Sequence, residues 1–132
     1  MTSEPAFVLS IGYPGFWITL NNGNHGEHWA ALKKKKDQWR EFTLYAWAQQ
    51  GRPRAMPPCT IASTFVMHAN VRRDPHNFIP TLKPVIDQMV HCGIWPDDNP
   101  TWVRVPEPTF LVKKDSPMGL ILRCYPFIER TT

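Results

Sequence analysis

The sequence predicts a single α/β domain in which a mixed β-sheet carries one long basic helix and one shorter helix. Three observations predict it. From about Trp29 to Gln49 helix-forming residues dominate, and neither Gly nor Pro interrupts them. Thr60 to Val71 is rich in β-branched and apolar residues, the composition of a central strand. Leu82, Val85, Ile86, Met89 and Val90 repeat with the period of a helix that buries one face. A chain of 132 residues suits one domain, and no repeat or low-complexity tract divides residues 1–132.

The elements follow in order. Phe7 to Ile11 and Phe16 to Leu20 are short apolar runs broken by Gly12, Pro14 and Gly15, which predicts one or two strands. Asn21, Asn22, Gly23 and Asn24 make a loop. In the long helix, Trp39, Phe42 and Ala46 recur at helical spacing, and Gly51 to Pro58 (GRPRAMPP) ends it. In the shorter helix, Pro84 limits where the first turn can lie, because it has no N–H to donate. With Thr81 as N-cap, Pro84 takes the third helical position, where no intrahelical donor is required. Gly93 fits the left-handed C-terminal cap. The helix is then about ten residues, roughly 15 Å long. Pro96 to Pro100 (PDDNP) is a rigid turn. Thr101 to Val105 and Leu120 to Ile128 read as two final strands, with Val112 to Met118 (VKKDSPM) as a polar loop between them.

Composition narrows the function classes. A hydrophobic content of 42% with six Trp supplies a core and argues against a disordered chain. No apolar run approaches the ~20 residues that cross a bilayer. Met1 to Pro14 has no basic start before its apolar stretch and does not read as a signal peptide. Cys59, Cys92 and Cys124 are scattered and odd in number, which suits reduced thiols in a cytoplasmic setting rather than a disulfide framework. The net charge is +4, but from Ala30 to Arg73 nine bases face two acids, whereas from Asp74 to Asp98 four acids face one base. A basic region followed by an acidic cluster suits a protein that holds a polyanion and also a cation. Two differently charged solvated surfaces fit the same pattern.

The segment from Arg72 to Val105 is the most informative. An acid, Asp74, ends the central strand; a polar loop and an amphipathic helix follow; Asp97 and Asp98 then sit in a Pro-bounded turn. Magnesium takes carboxylates, water and phosphate oxygens, and phosphodiester hydrolysis uses such a cation to activate water and offset developing charge. For Asp74 and Asp98 to share a cation they must converge, although the shorter helix separates them along the chain. Either the chain folds back or a second subunit completes the site.

This segment resembles the core motif of the RusA-like Holliday junction resolvases: Arg72-Arg73-Asp74-x-x-Asn77, then Lys83 and Asp87 four residues apart on a helix, then the Asp97-Asp98 turn. The wording PTLKPVIDQMVHCGIWPDD is similar to the phage and actinobacterial branch. The core match covers about 34 residues, and weaker agreement in element order covers most of the chain. The resemblance implies a homodimeric, Mg2+-dependent endonuclease (Mn2+ also serving) that cuts four-way and related branched DNA in a bacterial or phage-infected cytoplasm. It implies that Asp74 and Asp98 are metal ligands, with Asp97 supporting or sharing the site. It gives Lys83 a role in catalysis or phosphate contact. Asn77 matches the motif's Asn, Asp87 its helix Asp, and Asn21–Asn22 the family's N-terminal asparagine region.

Two departures accompany the likeness. Where the best-known resolvases have Asp-x-Asp-Asn, this chain has Asp74-Pro75-His76-Asn77, so imidazole replaces an acidic ligand. His76 is a candidate metal ligand, softer than carboxylate and better suited to manganese or zinc than to magnesium. The stretch from Asn77 to Lys83 is also longer than in the shorter family members. Around this core, Lys33, Lys34, Lys35, Lys36 and Arg40, with Arg52 and Arg54 nearby, make a candidate phosphate-contacting surface, as do Arg72 and Arg73 beside the acids. Four consecutive lysines span a whole helical circumference, so they cannot all face one partner. Plainer roles stay open: Asp74 and Asp98 as caps, Lys83–Asp87 as a surface ion pair, the lysines as solvated surface. His25, His28, His91 and Cys92 do not complete a tetrahedral zinc set. Trp29, Trp39 and Trp47 read as packing residues rather than base-stacking platforms. A branched-DNA binder without catalysis, a partner-binding protein and a nuclease for flaps or forks are the competing readings.

Overall fold

The computed structural model describes residues 4–20, 29–69 and 75–127. Its strands are β1 (Phe7–Gly12), β2 (Cys59–Met67), β3 (Val103–Arg104), β4 (Thr109–Val112) and β5 (Gly119–Pro126). Its helices are α1 (Trp29–Gln49) and α2 (Ile79–His91), the second entered through a 3-10 turn at Pro75–Phe78. β5 lies antiparallel between β1 and β2, while β3 and β4 run parallel to β2 along its other edge. The result is the expected mixed sheet with a long and a shorter helix. No helix among the described residues is long and apolar enough to cross a membrane.

Pleating decides which face meets the helices. Cys59, Ile61, Ser63 and Phe65 alternate with half-buried Thr60, Ala62 and Thr64 along β2. The buried set continues across the sheet through Leu9 and Ile11 of β1 and Leu120, Leu122 and Cys124 of β5. α1 covers it with Trp39, Thr43, Ala46 and Trp47, a stripe at helical spacing. Phe42 lies off that stripe and is 37% exposed. Trp39 and Trp47 are core residues, whereas Trp29 is 72% exposed.

Residues 13–19 form no strand. The aromatic side chains decide this, because they fill the space between α1 and α2 instead of joining the sheet. Trp17 stacks on Trp39 at 5.5 Å and meets Phe65 edge-on at 5.1 Å. The Trp39 indole N–H donates to the Phe16 carbonyl at 3.2 Å.

α2 begins earlier than the proline argument predicts. Its first residue is Ile79, Pro80 occupies the donor-free first turn, and Phe78 holds the N-cap position. Thr81 is therefore inside the helix, and its hydroxyl is used across the fold: it accepts from Ile18 N–H at 2.9 Å and donates to Ile18 C=O at 2.7 Å. Pro84 consequently lies in the helix body, where its missing N–H leaves the Pro80 carbonyl without its helical partner. The C-terminus is as expected. Gly93 adopts φ +88°, its N–H bonds Val90 C=O at 2.9 Å, and Ile94 N–H bonds Met89 C=O at 3.2 Å. These two bonds make a Schellman motif, closed by buried Met89 and Ile94.

Two strand expectations change. β2 ends at Met67, short of Val71, which lies outside the described residues. Thr109–Val112 forms a strand that was not expected, and it takes in Val112, the first residue of the expected polar loop. β3 and β4 are one edge strand interrupted by a bulge. Thr60 pairs with Arg104 but Thr64 with Thr109, so one extra residue is accommodated around Pro106 and Pro108. Proline is tolerated there because an outer edge needs no donor.

Candidate functional site

α1, α2 and the turn after α2 meet in a continuous run of charged side chains. On α1, Asp37 bonds Lys33 at 2.9 Å and Arg40 at 3.1 Å. Arg40 reaches across to Asp87 of α2 at 3.8 Å. Lys83 lies 4.0 Å from Asp87, one turn away, and 3.7 Å from Asp98. Lys83 is thus shared between a helix neighbour and the turn, with the slightly shorter approach to Asp98. Its side chain is 70% exposed while those of Asp87 and Asp98 are each 36% exposed, so these pairs are solvated and individually weak. The Lys33 ammonium, and then Arg40, hold the Asp37 carboxyl below the usual carboxylate range.

Asp97 and Asp98 have different surroundings. Asp97 is turned inward on its own loop: one oxygen accepts Asp98 N–H at 2.7 Å and the other accepts the Asn99 amide at 3.1 Å. Asn99 continues the turn by accepting Thr101 N–H at 3.0 Å. Asp97 shapes the turn, and Asp98 is the carboxylate presented to Lys83. Together Lys83 and Asp98 are the polar lining of a hollow of about 200 Å³ whose other walls are Ile79, Leu82, Ile86, Val103 and Val105. Asp98 is therefore beside the first turns of α2 and not beyond its far end. The chain thus folds back along α2, while Asp74, the other member of the expected pair, lies outside the described residues.

The remaining expected site residues are distributed as follows. His76 is exposed and Asn77 half-buried in the 3-10 turn that enters α2. Asp74, Arg72, Arg73, Asn21, Asn22, His25 and His28 lie outside the described residues. Among the described residues no three His, Cys, Asp or Glu side chains gather to hold a metal. Asp98, half-buried and 3.7 Å from Lys83, offers carboxylate oxygens of the type a hard cation takes. The lysine run divides as its spacing requires: Lys33 pairs with Asp37, whereas Lys35 lies over the Phe16 ring at 5.7 Å. Arg40, expected on the DNA-facing surface, is engaged by two carboxylates.

Sequence reasoning missed two arrangements. The Arg40–Asp87 link depends on helix crossing, which no local spacing encodes. Arg52 and Arg54 both lie over the Trp47 ring, at 6.0 and 5.2 Å. The alternation of Arg with Gly and Pro in Gly51 to Pro58 was the available signal for a shaped basic loop. Compared with known proteins, no family model matches the chain and no curated protein matches it.

Proposed function

We propose that this protein is a metal-dependent, structure-specific endonuclease of the RusA-like type that hydrolyses phosphodiester bonds in branched DNA. The observation that carries the reading is the placement of Asp98 at 3.7 Å from Lys83 on the early turns of α2. The far end of the motif is thereby returned to Lys83 on the early turns of α2, and on this reading Asp74, which precedes that helix in sequence, would join Asp98 there.

Asp74 and Asp98 would hold the divalent cation, Mg2+ or Mn2+, with His76 as a third donor. When bound, the cation would supply water activation and charge neutralisation at the phosphorus. Lys83 is long, exposed and only loosely held, so its ammonium can leave Asp98 for a phosphate oxygen and offset charge there. Asp97 keeps the turn in the shape that presents Asp98. Asn77, Arg72, Arg73 and the lysines of α1 would contact DNA, and a homodimer would set two such sites on a junction of approximate two-fold symmetry.

Cleavage of a synthetic four-way junction, with linear duplex as control, in Mg2+, Mn2+ and EDTA tests this reading. Paired, symmetric, metal-dependent nicks in the junction alone support it, and cutting of flaps or forks in preference would redirect it to those substrates. A second reading, a branched-DNA binder without catalysis, is favoured by His76 in place of an acidic ligand. Junction binding that persists in EDTA, with no cleavage in either metal, would select it. Absence of any salt-sensitive junction binding would remove both and favour a partner-binding protein.

A further inference from the structure

Arg52 and Arg54 are held over an aromatic ring without a carboxylate partner among the described residues. Among the described residues, Lys33, Arg40 and Lys83 each approach a carboxylate, whereas Arg52 and Arg54 have no acidic partner. Both arginines are exposed, and both guanidinium groups lie over the one Trp47 ring, at 6.0 and 5.2 Å. Trp47 is only 7% exposed, so it serves as a platform for arginine and offers no free face to a base.

The loop that carries them is held in a costly conformation. Arg52 and Ala55 each have φ +50°, the left-handed region that residues with a Cβ avoid at a cost of ~1–2 kcal/mol. Four bonds hold it there. Arg52 N–H bonds Trp47 C=O at 3.0 Å, and the Trp47 indole N–H bonds Pro53 C=O at 2.9 Å. Ala55 and Met56 N–H groups bond Gly93 and Ile94 carbonyls, each at 2.9 Å. Backbone strain fixed by surrounding bonds clusters at ligand clamps, and here it holds two like charges over one ring with no carboxylate paired to either among the described residues. Two guanidinium forks preset over one ring suit the oxygens of phosphate.

We infer that Arg52 and Arg54 form a second phosphate-binding site that grips the backbone of a duplex DNA arm away from the Asp98–Lys83 site. The inference rests on the DNA reading above. Gly93 and Ile94, which anchor the loop, lie just past His91, the last residue of α2, so the anchor lies roughly 12 Å from Lys83 along the helix. At 3.4 Å of rise per nucleotide this is about three to four base steps along an arm.

The test is junction binding by the full chain in EDTA, with the salt dependence measured for the wild type and for R52Q/R54Q. Two lost phosphate contacts should lower the slope of log K against log salt by about 1.8 and weaken binding about tenfold at 0.1 M salt. R52K/R54K should keep most of the slope while binding less tightly, and it answers the case in which the glutamine variant fails to fold. Junctions whose arm phosphates about three to four steps from the branch are replaced by neutral methylphosphonates should bind the wild type and R52Q/R54Q alike. Unchanged slope and affinity in a folded R52Q/R54Q would overturn this site and leave the nuclease reading standing. A wild type that binds no junction would overturn both.

Discussion

Replacing Thr81 with valine tests the main correction to the sequence reading of α2. Thr81 is fully buried, and its hydroxyl satisfies both backbone groups of Ile18, itself 2% exposed. Valine keeps the shape and leaves the Ile18 N–H and C=O buried without partners. Each stranded group costs ~1–3 kcal/mol, so partial relaxation puts the total at about 2–4 kcal/mol, a large share of the ~5–15 kcal/mol that holds a domain together. At ~2.1 cal/mol/K per residue of unfolding entropy, this lowers Tm by roughly 7–14 °C. Urea unfolding followed by tryptophan fluorescence measures it, with Thr81→Ser recovering most of the loss. Thr81→Asn separates the two roles, because asparagine is among the best N-caps but does not fit this buried strap. A Thr81→Val protein within ~0.5 kcal/mol of wild type, or a stable Thr81→Asn protein, would refute the reasoning.

Three further predictions follow from the site and its surroundings. Asp98→Asn and Asp74→Asn should abolish junction cleavage while largely sparing junction binding in EDTA, because a ligand charge and not a DNA contact is removed; full activity in either variant would take that residue out of the site. Lys33→Met should raise the Asp37 carboxyl toward the ordinary carboxylate range in an NMR titration. Since the folded-state value is depressed, the pair's stabilisation is present above the unfolded-state value and lost as pH falls through the folded one, so the variant should flatten the acid limb of stability; an unmoved titration would show that Lys33 is not the cause. Burial pushes the Cys59 and Cys124 thiols up, so half-buried Cys92 should react first with an aromatic disulfide reagent at pH 8, the other two following only on unfolding, and equal native rates for all three would contradict the packing.

Much of this fold was legible wherever one local signal had no competitor. The span of α1 follows from an uninterrupted run of helix formers, and Gly93 ends α2 because a left-handed residue there needs no Cβ. The start of α2 was misjudged because two helix signals conflicted. Thr81 is a good cap by type, but Pro80 is equally good in a first turn, and the buried bonds to Ile18, far away in sequence, decided between them. β4 was missed because Pro106 and Pro108 interrupt the alternation that marks a strand, although an edge strand with a bulge tolerates both. Phe16 to Leu20 looked like a strand by composition, yet Trp17 had a better position among Trp39, Phe65 and Phe78 than any sheet edge offered. In the turn after α2 the partners of each carboxylate were not readable: the Asp97–Asp98 pair divides into a turn-shaping carboxylate and one presented to Lys83 only once the turn is built.

The position of Asp98 follows from how the segment around it is fixed at both ends. The Schellman turn reverses the chain at Gly93, and Ile94 and Trp95 enter the core immediately, at 0% and 1% exposure. The Trp95 indole N–H then bonds Pro57 C=O at 2.9 Å, tying the returning chain to the approach to β2. At the other end, Val103 is buried beside Cys59, and its N–H and that of Trp102 both bond Asn99 C=O at 2.9 Å. Only residues 96–102 remain to span the gap, and Asn99 and Asp97 tighten them into one turn. Between ends fixed this way Asp98 has little freedom, and it reaches Lys83 without help from any charge-pair energy, which at this exposure is too weak to place a loop. The apolar side chains of Ile94, Trp95 and Val103 therefore position the carboxylate, and the ion pair with Lys83 is a consequence of that packing. A cation taking Asp98 would displace one weak partner and leave the scaffold of the site unchanged.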